Sequence, residues 1–218
     1  MAKHFQRELE KIKKSILSLG AIVEDRVRLA IKSIESRDAD IAEQIINMDY
    51  EIDEMEVDIE EECLKVLALH QPVAVDLRFL VSVIKINNDL ERIADETVNI
   101  AYRIKTISKN IDCRFIFDYA LMAGKASTML RMSLDAMVRL DTDMAFKVCL
   151  MDDEVDVFVQ NAYEQLKLSI LQAPENAGTL INMFLISRHI ERIADHATNI
   201  AEEVIYVTDG EIVRHGKF

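Results

Sequence analysis

Chain-reversing residues are scarce in this 218-residue chain: proline occurs twice and glycine five times. With no long alternating apolar–polar runs either, the sequence points away from strands and toward an all-helical protein with few, short connections. No apolar run approaches the ~18 residues of a membrane span, and the opening Met1-Ala2-Lys3-His4-Phe5-Gln6 has no apolar signal core. Basic charge is in deficit, with 26 Lys and Arg against 39 Asp and Glu, a net charge of −13. A nucleic-acid binder needs a basic stripe to displace counterions, so that class is excluded. The same deficit argues against adhesion to an anionic membrane surface, and the lack of a long apolar run against direct membrane insertion. Acidity of this degree suits a protein that binds cations or basic partner surfaces. Cys63, Cys113 and Cys149 are odd in number and scattered, without a Cys-x-x-Cys. They read as reduced, buried thiols of a cytoplasmic protein, and neither a disulfide frame nor a zinc site is expected.

Catalytic signatures are missing too. There is no Gly-rich phosphate loop, no Gly-x-Ser-x-Gly, and no Cys/His pair near a plausible oxyanion hole. No Glu-x-x-His occurs, which counts against a ferritin-like di-iron oxidase. The expectation is a protein that is not an enzyme, with a metal-dependent oxidase or hydrolase acting through carboxylates as the alternative.

What the chain does have is apolar periodicity, with half of its residues hydrophobic. Leu9, Ile12, Ile16, Leu19, Val23, Val27, Ala30 and Ile34 recur at spacings of three and four, which predicts a helix over Lys3–Ser36. Gly20 interrupts it at a cost of roughly 1 kcal/mol against Ala, and a close helix crossing would explain it. Asp40 is expected to cap a second helix over Ile41–Leu69, with Glu43 in capping-box position. That helix carries Ile41, Ile45, Met48, Ile52, Met55, Ile59, Cys63 and Val66 on its apolar face and ends at His70-Gln71-Pro72, since proline disfavours helix in the residue before it. A third helix is predicted over Val73–Ile107, and a fourth over Phe115–Leu140.

The chain also repeats itself. Glu91-Arg92-Ile93-Ala94-Asp95, followed by Asn99-Ile100-Ala101, returns as Glu191-Arg192-Ile193-Ala194-Asp195 and Asn199-Ile200-Ala201. Asp141-Thr142-Asp143 mirrors Asp38-Ala39-Asp40, and Met151 to Asp156 mirrors Met48 to Asp53, both at an offset of 103 residues. The fold expected is all-α: two pseudo-symmetric antiparallel three-helix bundles, over residues 1–109 and 110–218, built from six long helices and packed on each other.

Residues four apart on a helix share a face. Asp49 with Asp53, Glu91 with Asp95, Asp152 with Asp156, and Glu191 with Asp195 therefore form four carboxylate pairs, two in each half. Like charges at this spacing repel, so helix stability alone does not account for four such pairs in matching places. Asp53 and Glu91 lie about equally far from the turn at Pro72, so the two pairs of each half can face each other across a groove. Two readings stay open at this point. Oxygen-rich clusters suit Mg, Mn, Ca or iron, or Arg92 and Arg192 neutralise the acids in ordinary ion pairs. His189 and His196 stand close enough to add a nitrogen ligand, although a lone helical His is more often a surface or core residue.

Over nearly its whole length the chain resembles the PhoU family of phosphate-transport regulators. The residues that carry the resemblance are His4-Phe5…Glu8-Leu9…Ile12, Leu19-Gly20…Val23-Glu24, Gln71-Pro72…Asp76-Leu77-Arg78 and both Glu-Arg-Ile-Ala-Asp segments. The resemblance implies a duplicated three-helix bundle and metal binding through Asp49, Asp53, Glu91 and Asp95, and again through Asp152, Asp156, Glu191 and Asp195. Divalent or ferric ions (Fe, Mn, Mg or Zn) are the expected occupants. It implies a cytoplasmic adaptor, peripheral to the inner membrane through its partners. Those partners are the ATPase subunit of a phosphate ABC transporter and a phosphate-sensing histidine kinase, which the adaptor restrains when phosphate is plentiful. A homodimer is expected. Family members commonly have Gly where this chain has Ala94 and Ala194, which leaves the ligands intact but adds a methyl beside the backbone.

Overall fold

The computed structural model describes residues 2–109, 113 and 117–213. Among them only helices and connections occur: α1 (Ala2–Ser36), α2 (Ala39–Asn47), α3 (Tyr50–His70), α4 (Ala74–Ile107), α5 (Tyr119–Arg139), α6 (Thr142–Gln172) and α7 (Ala177–Asp209), with one 3₁₀ turn at Pro174–Asn176. Six of the seven helices are long, and they form the expected pair of pseudo-symmetric bundles. No helix among the described residues is long and apolar enough to cross a membrane.

The apolar stripe of α1 is buried along its whole length, from Leu9 to Ile34. Each fully buried aliphatic side chain contributes about 1.5–3 kcal/mol relative to exposure, so the stripe holds α1 in place. Gly20 sits where α1 crosses α5: a Cβ there would lie 2.9 Å from Leu134 Cδ2. Gly20 thus lets α1 and α5 approach closely, and a side chain there would have to displace the end of Leu134.

Local chemistry sets the helix ends. Asp38, not Asp40, caps α2, accepting hydrogen bonds from the amides of Asp40 at 2.8 Å and Ile41 at 3.3 Å. A carboxylate at the N-cap reaches the amides two and three residues on, and Asp40 is already inside the first turn. The single helix expected over Ile41–Leu69 is broken at Met48–Asp49, where Met48 leaves helical geometry at φ −102°, ψ 2°. Its counterpart α6 runs unbroken through Met151 and Asp152. α3 ends with Gln71 in the left-handed region (φ 46°), and Pro72 prevents continuation. α5 begins at Tyr119, later than expected, with Asp118 accepting from the amide of Leu121. Residues 110–112, the expected boundary, and 115–116 lie outside the described residues.

α4 and α7 form the centre of the molecule and pack on each other more extensively than any other pair. They run antiparallel. The bonds between them advance along one helix as they retreat along the other: Glu203 accepts from Ser82 Oγ and from Lys85 Nζ, both at 2.9 Å, and Asn182 Oδ1 accepts from Arg103 Nη1 at 3.2 Å. The two Glu-Arg-Ile-Ala-Asp segments cross at the middle of this seam. Ile93 and Ala94, with Ile193 and Ala194, are buried there, and the acids point out at the seam's edges.

The cysteines are buried and free. Burial pushes the thiols of Cys63 and Cys149 up to about 12, so neither ionises readily at neutral pH.

Candidate metal centre

The acids of each predicted quartet act on one another electrostatically: Asp53 and Asp95 act on Asp49, and Asp195 and Asp156 act on Asp152. In each, α4 or α7 supplies one pair from the edge of its buried face, and the preceding antiparallel helix supplies the other. Asp49 stands at the α2–α3 break and caps nothing with its side chain, so its carboxylate is left to the groove. Glu91, Asp95 and Asp49 are half-buried and Asp53 is exposed. The second quartet repeats this: Asp152, Glu191 and Asp195 are half-buried and Asp156 is exposed.

Burial and mutual repulsion raise these carboxyls. Asp49 rises to about 6, through desolvation first and then the charges of Asp53 and Asp95, with Arg26 opposing. Glu91 and Asp95 rise for the same first reason, opposed by Arg92. In the second quartet Asp152 rises to about 6 through desolvation, then Asp195 and Asp156. Asp195 does the same through desolvation, then Glu191 and Asp156. Glu191 rises by desolvation, opposed by Arg188. Every one of these shifts disfavours the charged form, and burial is the leading cause in each.

The arginines only partly meet this demand. Arg92 lies 3.5 Å from Glu91 and 3.6 Å from Asp95, beyond good hydrogen bonds. Arg192 turns away from its own quartet and pairs with Glu96 at 3.0 Å. In its place Arg188 holds Glu191, donating to Oε1 at 2.8 Å. Glu91 Oε2 remains buried without a hydrogen bond, and such groups ordinarily have a partner; Asp152 has Thr198 beside it, which opposes the rise of its carboxyl. Among the described residues, however, no three His, Cys, Asp or Glu are close enough together to hold an ion as they stand. Unneutralised carboxylates splay apart, so side-chain rotation would have to accompany binding. The donor set and the orphaned Glu91 oxygen fit a hard, oxygen-seeking cation.

His189 and His196 are not placed as ligands. His189 Nδ1 lies 2.6 Å from Glu96 Oε2, and His196 Nδ1 lies 2.8 Å from Asp89 Oδ1. Asn199 also donates to Asp89 Oδ1 at 3.1 Å. These pairs are reciprocal across the seam: positions 89 and 96 of the first repeat are acids, and positions 189 and 196 of the second are histidines. Burial alone would raise Glu96, but the hydrogen bond from His189, with the charges of His189 and Arg192, holds its carboxyl below the usual range. Sequence reasoning missed Asp89 and Glu96, and also Arg26. A signal was there for each, an acid-for-histidine exchange at a constant offset of 100 and a charged residue inside the α1 apolar stripe.

A duplicated helical bundle with a matching acidic quartet in each repeat defines the class. The family profile for the PhoU domain matches the chain twice, over residues 16–104 and 119–204. The chain belongs to the PhoU family. It is 35% identical over 216 residues to the "phosphate-specific transport system accessory protein PhoU homolog" of Pseudomonas aeruginosa, covering 99% of this chain and 89% of the relative. A relative of the same name from Clostridium acetobutylicum is 33% identical over 213 residues, covering 97% of each. Among solved structures, PhoU from Pseudomonas aeruginosa superposes with a TM-score of 0.92 at 35% identity, covering 95% of this chain and all of that one. The phosphate transport system regulatory protein PhoU from Streptococcus pneumoniae gives 0.87 at 29%, covering 96% and 99%.

Proposed function

We propose that this protein regulates phosphate uptake as an accessory protein of a phosphate transport system, and that its two acidic quartets are cation sites. Asp49, Asp53, Glu91 and Asp95 would hold one site, and Asp152, Asp156, Glu191 and Asp195 the other, each binding Fe, Mn, Mg or Zn. The cation supplies positive charge that offsets the repulsion within each quartet. The chain's own carboxylates fix the angle between α3 and α4, and between α6 and α7, once they converge on it. Residues 1–109 and 110–218 act as two equivalent halves of one adaptor, which links the transporter's ATPase subunit to a phosphate-sensing histidine kinase and keeps starvation genes silent in plentiful phosphate. The observation that supports this reading most is the full-length match to phosphate-specific transport accessory proteins, from both ends of the chain and through both quartets.

Deleting the gene should derepress a phosphatase reporter in rich phosphate, and reintroducing it should restore silence. An unchanged reporter would refute the regulatory reading. Separately, protein purified without chelators should carry metal by elemental analysis, or take it up when Mn or Fe is added. A chain that stays metal-free under both conditions refutes the cation sites and leaves the regulatory role standing.

The contact of Arg188 with Glu191 supports a second reading, in which arginines alone neutralise the quartets. In that case Arg92→Gln with Arg188→Gln would destabilise the fold more than chelation does.

A further inference from the structure

The amino-terminal third of α1 reverses the charge of the rest of the molecule. Residues 3–14 carry five Lys or Arg against two Glu, in a chain of net charge −13. Lys3, Arg7, Lys11 and Lys14 recur at helical spacing, share one face and, with Glu10 as the one acid among them, line an open trough of about 680 Å³ that reaches Met55 of α3. All four are exposed. Lys11 contacts Glu62 at 3.2 Å, whereas no ion pair engages Lys3, Arg7 or Lys14 among the described residues.

The other flank of the same ridge is apolar. Gln6 borders both the basic trough and a second cavity of about 200 Å³, formed where α1, the start of α4 and the end of α5 meet. Its lining includes Leu17, Phe79, Val75, Val138 and Leu140. The last three are exposed at 57%, 58% and 51%. Asp76 is the one acid on this lining, and Lys13 stands at its rim with Nζ 5.3 Å from the centroid of the Phe79 ring. Large aliphatic side chains exposed together around a concave cavity mark a binding surface more than chance exposure does.

Charge and shape together select the occupant. A concave apolar cleft between three helices receives side-chain knobs from a helix better than it receives a flat bilayer. A basic row beside the cleft calls for carboxylates on the occupant's flank. We propose that this ridge and cleft of α1 are the docking site for an amphipathic helix of a partner protein, apolar on one face and acidic on its flank. The proposal rests on the adaptor reading, since an accessory protein works by engaging partners. One competitor is a second copy of this chain, because α3 exposes Tyr50, Val57 and Leu64 at seven-residue spacing with Glu54 and Glu61 between them.

The test is fluorescence anisotropy of the full-length protein with a labelled helical peptide of about 18 residues, some 27 Å long, with leucines at i, i+3, i+4 and i+7 and glutamates on the flanks. Saturable binding is expected. It should weaken at least about tenfold in Lys3→Glu/Arg7→Glu/Lys14→Glu and in Val138→Asp, and about tenfold on raising salt, with helical circular dichroism unchanged. Absence of saturable binding, or equal affinity in wild type and both variants, overturns the proposal. So does binding of phosphatidylglycerol vesicles without the peptide. A wild-type dimer that the triple variant dissociates, again without peptide binding, assigns the surface to a second copy and overturns it as well. The phosphatase reporter reads the adaptor function independently, so peptide failure with normal reporter silencing counts against the docking site alone.

Discussion

The two acidic quartets have the same ligand set and different surroundings. Asp49 sits at a helix break, whereas Asp152 lies inside the continuous α6. Buried Arg26, 2.7 Å from Glu51, approaches the first quartet and moderates Asp49. Carrying the 103-residue offset back along α1 aligns Arg26 with Met129, which is fully buried and apolar. The second quartet instead has Arg188 on one acid, and leaves Asp152 and Asp195 both raised to about 6. Duplication therefore kept the carboxylates and let the neutralising cations drift. Arg92 and Arg192 are themselves kept in both copies, but their contacts differ.

The seam between the repeats diverged in the opposite sense, since two acids of one copy became two histidines in the other. Identical copies would face acid with acid at this crossing, and the exchange converts both contacts to attraction. The largest predicted effect follows from undoing it. His189→Asp with His196→Glu restores the first repeat's residues and places uncompensated carboxylates against Glu96 and Asp89. A loss of about 3 kcal/mol or more is expected, lowering Tm by about 6–12 °C in a chain of this size. A variant as stable as wild type in thermal denaturation would show that the seam does not depend on these pairs.

The next effect separates the quartets. Asp152→Asn with Asp195→Asn should weaken cation binding at the second site about a hundredfold, roughly 2.7 kcal/mol, and leave the first site intact. Titration calorimetry should then show half the wild-type stoichiometry, and Asp49→Asn with Asp95→Asn should remove the other half. Loss of all binding from either variant would mean one shared site.

The acid–base behaviour gives a smaller effect. For Asp49, Asp152 and Asp195 the native carboxyls titrate near 6, above their ordinary value of 3.8. Between those values the native state holds protons that the unfolded chain has released. Stability of the metal-free protein attributable to these groups therefore falls as pH rises through that window and levels off above it. After discounting for partial exposure the fall is on the order of 1 kcal/mol per group. The difference in Tm between wild type and Asp152→Asn/Asp195→Asn isolates it: the variant should be the more stable at pH 7.5 without metal (a pH about 1.5 above the shifted values), and the advantage should vanish toward pH 4. The opposite sign would mean that the acids are already neutralised. The smallest effect comes from Arg26→Met, which makes the first quartet's surroundings resemble the second's. Stability should change by less than about 1.5 kcal/mol, since a packed apolar residue replaces a buried arginine whose carboxylate partner, Glu51, is exposed and stays solvated. Asp49 should titrate higher by nuclear magnetic resonance, and an unmoved Asp49 would show that Arg26 does not act on the quartet.

Much of this was legible in the sequence for physical reasons. Apolar period located α1, because burial of one face is what forms that helix. The repeat then carried the quartet Asp152, Asp156, Glu191 and Asp195 over from the first. The break at Met48–Asp49 was hidden, because residues on both sides keep helical spacing and no Gly or Pro marks it. The Asp38 cap was misassigned by two residues, since Asp38 and Asp40 are chemically equivalent candidates and only backbone geometry decides between them. The partners of His189 and His196 depend on how α4 crosses α7, a long-range fact that no local pattern states. Arg92 and Arg192 read as equivalents, yet Arg192 reaches Glu96 across the seam.

The central claim is that both quartets bind cations. Its most direct test is anomalous X-ray diffraction from crystals grown with Mn. The account predicts an anomalous peak between Asp49, Asp53, Glu91 and Asp95, and another between Asp152, Asp156, Glu191 and Asp195, with carboxylate oxygens drawn in to about 2.1–2.3 Å. Two quartets without peaks, their acids still splayed and held by Arg92 and Arg188, would contradict it.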